Sequence, residues 1–256
     1  MNTTARQILN IIALVLVIAV NALANMLPLN GVTTGELSDR YPILTVPAGY
    51  AFSIWSLIYT SLIGFVIYQA LPAQRDNPRI RSADPFFLLS CVANIGWMFT
   101  WHYQILWLNI LMMVGILINL IFILLRLGMG SIAVSRAEYW LVRFPFSVYT
   151  GWITVATIVN MTVILYAANW GGWGVPAAVW AALLLVIGAA IGLFVGFRLN
   201  APAYTLVVVW AYIAIAVEHA DVTLVASMAG AMAAVVALTL IVNAVRGRFG
   251  QPRLAT

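Results

Sequence analysis

Long apolar stretches separated by short polar connections dominate the chain. Most of these stretches have the roughly 20 residues that a helix needs to cross about 30 Å of hydrocarbon. They are too long for strands and lack alternation of period two, and a helix in lipid satisfies its own backbone hydrogen bonds. The pattern predicts an all-α, polytopic membrane helix bundle with a short seventh span. The eight segments are residues 8–27, 50–71, 86–103, 105–125, 144–168, 176–197, 202–217 and 222–245.

Arginine placement predicts the orientation of these helices. With the N-terminus inside, 11 of the 12 arginines fall on inner connections, and only Arg40 falls outside. Positive residues are retained on the cytoplasmic side of a membrane. We therefore expect a multi-pass protein of the plasma or inner membrane with cytoplasmic N- and C-termini. Arg6, an apolar core and Ala22-Leu23-Ala24 also fit a cleavable signal peptide, which arginine counting does not decide.

Composition excludes a soluble or disordered chain. Hydrophobic residues make up 64% of the 256 positions and charged residues only 7%, whereas soluble domains carry about 25% charged residues. The net charge of +5 could suggest nucleic acid. Because the arginines form no dense run, we expect no nucleic-acid partner. The single cysteine, Cys91, cannot form an internal disulfide and is expected to be a buried thiol.

Motifs for catalysis or metal binding are missing from the sequence. The two histidines, His102 and His219, lie outside any metal-ligand spacing, and no nucleophile elbow or phosphate loop occurs. The densest polar cluster, residues 218–221, is either a solvated turn or a proton or cation site at a cavity mouth. The pattern favours a protein that is not an enzyme, with no catalytic residue, no metal site and no required cofactor.

Aromatic and amide side chains recur at helical spacing in three segments. Residues at such spacing share one face of a helix, and amides are costly against lipid, so we expect them to face inward. The topology places most of them in the outer halves of their helices, where they could line one cavity. The alternative is an ordinary aromatic core and interface belt. The residues concerned are Trp55 and Tyr59, then Asn94 and Trp97, then Trp152, Ala156 and Asn160.

Small residues form two further stripes. They recur every fourth position in the sixth and eighth segments, a spacing that lets helix backbones approach closely. We expect this close packing either between those two helices or across a homodimer seam. The stripes are Gly188, Gly192 and Gly196, and Ala226, Gly230 and Ala234.

Three short motifs resemble those of the TspO/MBR family, the tryptophan-rich sensory proteins and translocator proteins or peripheral benzodiazepine receptors. They occur in the family's order over roughly residues 8–168, the length of its five-helix fold. Phe52 and Trp55 are one residue closer than is usual, and Met161 stands where the family's cholesterol motif has a tyrosine. The motifs are Pro47-Ala48-Gly49-Tyr50-Ala51-Phe52-Ser53-Ile54-Trp55 with Tyr59, Asn94-Ile95-Gly96-Trp97, and Trp152-x3-Ala156-x3-Asn160 after Pro145.

The resemblance implies a TspO-like five-helix region over residues 1–168. Residues 169–256 would then add three transmembrane helices and a short tail, as in an extended branch. It also implies a pocket for a porphyrin, a haem-like pigment or another flat apolar ligand. By position the pocket role falls on the residues of the three motifs, and we predict the ligand site to be Trp55, Tyr59, Asn94, Trp97, Trp152, Ala156 and Asn160.

We therefore expect an integral membrane receptor or carrier for a flat hydrophobic ligand, acting in sensing or trafficking. Its partners would be the bilayer, the ligand and a possible second copy in a homodimer. One alternative is a small-molecule transporter whose three additional helices complete a pathway, although no inverted repeat is evident. The other is a porphyrin-modifying membrane protein, with Trp55 and Trp152 as the candidate residues.

Overall fold

A computed structural model describes residues 3–27 and 29–246. Eight long helices form there, and each overlaps one of the predicted apolar segments. No strand occurs in the described ranges, so the expected all-helical fold is confirmed. The helices are α1 (Thr3–Met26), α2 (Ile54–Ala70), α3 (Pro78–His102), α4 (Leu106–Arg126), α5 (Phe144–Ala167), α6 (Ala177–Arg198), α7 (Pro202–Glu218) and α8 (Thr223–Val245).

Among the described residues, six helical stretches are long and apolar enough to cross a membrane, which confirms a multi-pass membrane protein. They are Thr4–Met26, Gly49–Ala70, Leu106–Arg126, Arg136–Ala167, Ala177–Arg198 and Thr223–Val245. The other two predicted spans differ from these: α7 has only 17 residues, and α3 carries Arg79, Arg81 and Asp84 near its start. Eight crossings, the side of each terminus and cleavage of α1 stay predictions, and Arg248 and Arg253 lie outside the described residues.

Local sequence explains where several elements begin. The Asn77 side chain accepts a hydrogen bond from the Arg79 backbone N–H at 3.1 Å, and Pro78 fills the first turn of α3. The short helix Thr34–Ser38 starts with a capping box in which Thr33 and Glu36 bond each other reciprocally. These bonds, above all the one from the Thr33 backbone, lower the pKa of the Glu36 carboxyl.

Contacts divide the chain into two compact units. The first unit holds the chain up to Arg40, Trp55–Met129 and Val134–Thr150, and the second holds Tyr41–Ile54, Gly130–Ala133 and the chain from Gly151 onward. Helix α5 contributes to both. The predicted boundary at residue 168 is a different division, and it stays a prediction.

Charged side chains are buried in the first unit. Asp84, on the second turn of α3, is 1% exposed and forms an ion pair with Arg6 of α1. It also accepts a hydrogen bond from Asn10 Nδ2 at 2.6 Å. Arg6 donates to the Arg75 carbonyl at 3.2 Å, which ties the start of α1 to the connection before α3. The start of α1, the connection before α3 and the start of α3, which are all predicted to lie on the inner side, therefore meet at these groups.

A second ion pair joins the start of α3 to the segment before α5. Arg79 donates from Nε and Nη2 to the two carboxylate oxygens of Glu138, at 3.1 and 2.8 Å. These hydrogen bonds raise the pKa of the Arg79 guanidinium. Arg143, five residues after Glu138, donates to the Leu127 carbonyl at 3.3 Å. Arginines assigned to the inner side by counting thus have structural partners in the first unit.

The glycine stripe of α6 packs against α7 in the second unit. A Cβ atom on Gly192 would lie 3.1 Å from Val208 Cγ2, and Cβ atoms on Gly188 and Gly196 would meet Tyr212 and Thr205. The close approach that the stripe predicts is therefore confirmed. The stripe itself meets α7, while α6 and α8 also contact each other, as expected. A homodimer seam stays a prediction.

The small-residue stripe of α8 has a different environment. A Cβ atom on Gly230 would meet nothing within 4 Å, and the buried small residues of this helix are Ala229 and Ala233 instead. The spacing of Ala226, Gly230 and Ala234 therefore marks an open face in the described part of the chain. A homodimer through that face stays a prediction.

Candidate functional site

The seven predicted site residues are divided between the two units. Four belong to the first and three to the second, so each group is described within its own unit. Their assembly into one cavity stays a prediction. The first group is Trp55, Tyr59, Asn94 and Trp97, and the second is Trp152, Ala156 and Asn160.

Two asparagines and a tyrosine form a chain of hydrogen bonds in the first unit. Asn21 of α1 donates from Nδ2 to Asn94 Oδ1 of α3 at 2.9 Å. Asn94 in turn donates from Nδ2 to the Tyr149 hydroxyl of α5, also at 2.9 Å. Asn94 has no exposed surface. Because both ends of its amide are bonded to other helices, it joins α1, α3 and α5 and positions Tyr149.

Aromatic rings extend this chain toward α2. The Tyr149 ring meets Trp55 at 5.9 Å between centroids, and Trp55 stacks on Tyr59 at 5.3 Å with 21° between the planes. The Tyr59 hydroxyl oxygen is buried and has no hydrogen-bond partner among the described residues. We refer to Asn21, Trp55, Tyr59, Asn94 and Tyr149 as the aromatic–amide cluster.

Trp97 lies one turn further along α3 than Asn94. It is buried, and its ring stacks on Trp101 at 6.4 Å with 12° between the planes. The Asn109 amide of α4 donates to the Trp97 carbonyl at 3.0 Å, which fixes the two helices beside this indole. Trp97 therefore stands in a second aromatic layer on the same helix as Asn94.

The three site residues of the second unit have other partners. Trp152 is buried and meets Phe52 edge-on at 5.7 Å between centroids, with 83° between the planes. Asn160 donates from Nδ2 to the Ala156 carbonyl at 3.0 Å, one turn earlier on its own helix. This bond lies within α5, whereas both side-chain bonds of Asn94 reach other helices.

Sequence reasoning missed Asn21 and Tyr149. Asn21 could have been found, because an amide within an apolar span is costly against lipid and should face a partner. Tyr149 gave no such indication, since tyrosines are also common at membrane interfaces. What identifies Tyr149 is its position between Asn94 and Trp55, which only the packed helices show.

Two cavities lie within the units. One of about 740 Å³ in the first unit is lined by aliphatic side chains of α1 and α2. The other, of about 410 Å³ in the second unit, is lined by residues 42–45, the end of α5 and the start of α6. None of the seven predicted residues lines either cavity. In the described ranges, no three His, Cys, Asp or Glu side chains come together as a metal site.

Comparison with known proteins gives one family. A family model described as TSPO-like protein matches residues 7–242. The match continues through α6, α7 and α8, which the five-helix resemblance had not covered. No curated protein and no solved structure gives a match to the chain.

Proposed function

The chain belongs to the TSPO-like protein family, and we propose that it is a receptor or carrier for a flat hydrophobic ligand such as a porphyrin. The family match and the apolar helices together indicate a membrane protein of the receptor or transporter type. The aromatic–amide cluster supports the finer proposal. Its stacked Trp55 and Tyr59 rings offer the flat surface that aromatic ligands contact favourably.

The main support for the proposal is the buried Tyr59 hydroxyl, which lacks a hydrogen-bond partner among the described residues. A buried polar group without a partner costs about 1–3 kcal/mol, and this oxygen has none among the described residues. A ligand carboxylate at this position would accept a hydrogen bond from the Tyr59 hydroxyl and remove that cost. A few well-placed polar groups in an apolar site set the orientation of a ligand. Tyr59 would therefore orient the porphyrin edge.

The other predicted residues have roles that follow from their contacts. Asn94 is a positioning residue, because both ends of its amide are used by Asn21 and Tyr149. We propose direct ligand contact for Trp55 and, on the family resemblance, for the remaining members of the predicted site. These are Trp97, Trp152, Ala156 and Asn160.

The first test separates the hydroxyl from the ring. Tyr59→Phe should weaken binding of a dicarboxylate porphyrin about fivefold to tenfold, because it deletes one hydrogen bond. An alkyl porphyrin without carboxylates should bind the variant as it binds the parent protein. Absorbance titration in nanodiscs measures both, and thermal unfolding should show an unchanged or raised stability. Equal affinities of parent and variant for the dicarboxylate porphyrin would contradict the proposal.

A second test compares indoles. Trp55→Phe and Trp152→Phe should each weaken porphyrin binding about fivefold, since a lost aromatic contact is worth about 1 kcal/mol. Trp173→Phe is the matched control, because that indole is 82% exposed. Tryptophan quenching by the porphyrin gives the affinities. If only Trp173→Phe reduced binding, the predicted ligand site would be wrong.

The same preparation distinguishes the enzymatic alternative. Illumination of the bound porphyrin should leave its absorbance spectrum unchanged if the protein only binds and carries it. A light-dependent loss of the porphyrin that disappears in Trp55→Phe or Trp152→Phe would favour the porphyrin-modifying function instead.

A further inference from the structure

The cavity of about 410 Å³ in the second unit is a second pocket, separate in its residues from the proposed porphyrin site. One wall is the segment Tyr41–Val46, which we call the strap. The other walls are the last turns of α5, the connection after it and the first two turns of α6. Its volume lies within the roughly 300–1,000 Å³ of small-molecule pockets.

The strap is held across the pocket at three points. Tyr41 meets Tyr166 edge-on at 6.3 Å between centroids. Thr45 is hydrogen-bonded to Thr162 of α5 at 2.7 Å, and His219 Nε2 donates to the Val46 carbonyl at 3.0 Å. The strap is therefore held at both of its ends.

Rigid indoles form the opposite wall. Trp170 and Trp180 lie 5.1 Å apart between centroids, and Trp180 Nε1 donates to the Gly172 carbonyl at 3.0 Å. Gly172 has φ +60°, and a Cβ there would lie 3.3 Å from the Trp180 indole nitrogen. Glycine is therefore favoured at this position by its backbone conformation and by the close Trp180 ring.

Two threonine hydroxyls supply hydrogen-bonding groups to the pocket. Thr162 donates its proton to the Val159 carbonyl at 2.7 Å, so Thr45 must be the donor in the bond between the two threonines. A hydroxyl oxygen has two lone pairs, and the Thr45 oxygen can therefore accept a hydrogen bond from a ligand. No charged side chain lines the pocket among the described residues.

We propose that this pocket binds an uncharged polycyclic aromatic molecule that carries one hydroxyl group. Fused rings match the indole walls, and the ligand hydroxyl donates to Thr45. An ionised ligand is disfavoured, because burying a charge without a partner is strongly unfavourable. The pocket therefore selects against the carboxylates that Tyr59 is proposed to bind, and this second specificity does not depend on the proposed porphyrin site.

The test uses 1-hydroxypyrene as the probe, with pyrene and pyrene carboxylate for comparison. Energy transfer from tryptophan to the probe is measured in nanodiscs. Ala177→Trp should plug the pocket, since Ala177 lines it and is exposed at the start of α6. Ala178→Trp is the matched control, because it adds the same indole to the next residue, which is not part of the lining.

We expect saturable transfer that Ala177→Trp reduces at least tenfold and Ala178→Trp preserves. Thr45→Val should remove an approximately fivefold preference for 1-hydroxypyrene over pyrene, and pyrene carboxylate should bind weakly. Ala177→Trp should leave porphyrin titration unchanged, and Tyr59→Phe should leave 1-hydroxypyrene binding unchanged.

Three outcomes would overturn the proposal. Transfer that rises without saturation and equally in both tryptophan variants would show simple partition into the bilayer. Displacement of the probe by a free fatty acid, with no preference between pyrene and 1-hydroxypyrene, would show a lipid-chain groove. Binding of pyrene carboxylate as tight as that of 1-hydroxypyrene would contradict the selection against charge.

Discussion

The two units differ in how their helices are joined. In the first unit, buried amides bond to side chains on other helices, as in the Asn21–Asn94–Tyr149 chain. In the second, α6 and α7 approach closely through glycines. Lipid offers no hydrogen bonds, so buried hydroxyls of the second unit also have partners, as in the bond from Tyr204 to Thr154 at 2.9 Å. The close approach through glycines is what sets the second unit apart.

Two buried asparagines show the contrast most directly. Asn94 in the first unit is bonded to α1 and α5. Asn243 of α8 in the second unit is 5% exposed and donates to the Thr239 carbonyl of its own helix at 2.6 Å. The same side chain therefore joins helices in one unit and stays within one helix in the other.

The largest expected effect concerns the buried ion pair of the first unit. Asp84→Leu leaves Arg6 buried without its charge partner, which should destabilise the protein by about 3–5 kcal/mol. Asp76→Leu is the control, because the Asp76–Arg81 pair is exposed and such pairs contribute about 0–1 kcal/mol. Chemical unfolding in detergent measures both.

The double variant sharpens this test. Arg6→Met with Asp84→Leu removes both charges, and replacement of a buried pair by apolar side chains is often neutral. We expect it to recover most of the lost stability. A double variant as unstable as Asp84→Leu alone would mean that packing, and not the unpaired charge, determines the loss.

The next effect concerns shape in the second unit. Gly192→Leu should destabilise the protein by about 1–3 kcal/mol, because the added side chain meets Val208 and overpacks the α6–α7 contact. Gly230→Leu makes the same change in open space and should be neutral. Thermal unfolding in one detergent compares them. Equal melting temperatures for the two variants would show that the close approach of α6 and α7 does not stabilise this unit.

The helices of this chain could be predicted because their length and apolarity alone decide them. Each of α1 to α8 overlaps a predicted segment, and the Gly192 stripe was recognised as a close contact. Its partner could not be predicted, since spacing along one helix does not say which of several helices packs on it. Equal spacings at Gly192 and Gly230 therefore led to one confirmed contact and one open face.

The candidate site was less predictable than the fold. Tyr59 was found from its face on α2, but its unpaired hydroxyl depends on what the neighbouring helices leave unbonded. The pocket under the strap had no sequence pattern, because residues 42–45 and the two indoles are far apart in the chain. Trp170 and Trp180 lie near helix ends, where tryptophans are common at a membrane interface, so their positions in the sequence do not indicate a cavity.

The smallest expected effect tests the two asparagines. Asn94→Leu leaves the Asn21 amide and the Tyr149 hydroxyl without their shared partner, and interhelical hydrogen bonds in membranes are worth about 0.6–2 kcal/mol. Asn243→Leu should change stability by less than about 0.5 kcal/mol, because the Thr239 carbonyl keeps its backbone partner. Asn94→Leu should also shift the fluorescence of Trp55, since Tyr149 loses the bond that holds its ring beside that indole. Unfolding gives the stabilities, and emission spectra of the Trp55-containing and Trp55→Phe proteins isolate the Trp55 contribution. If Asn243→Leu were the more damaging variant, the assignment of the cross-helix role to Asn94, and of a role within one helix to Asn243, would be wrong.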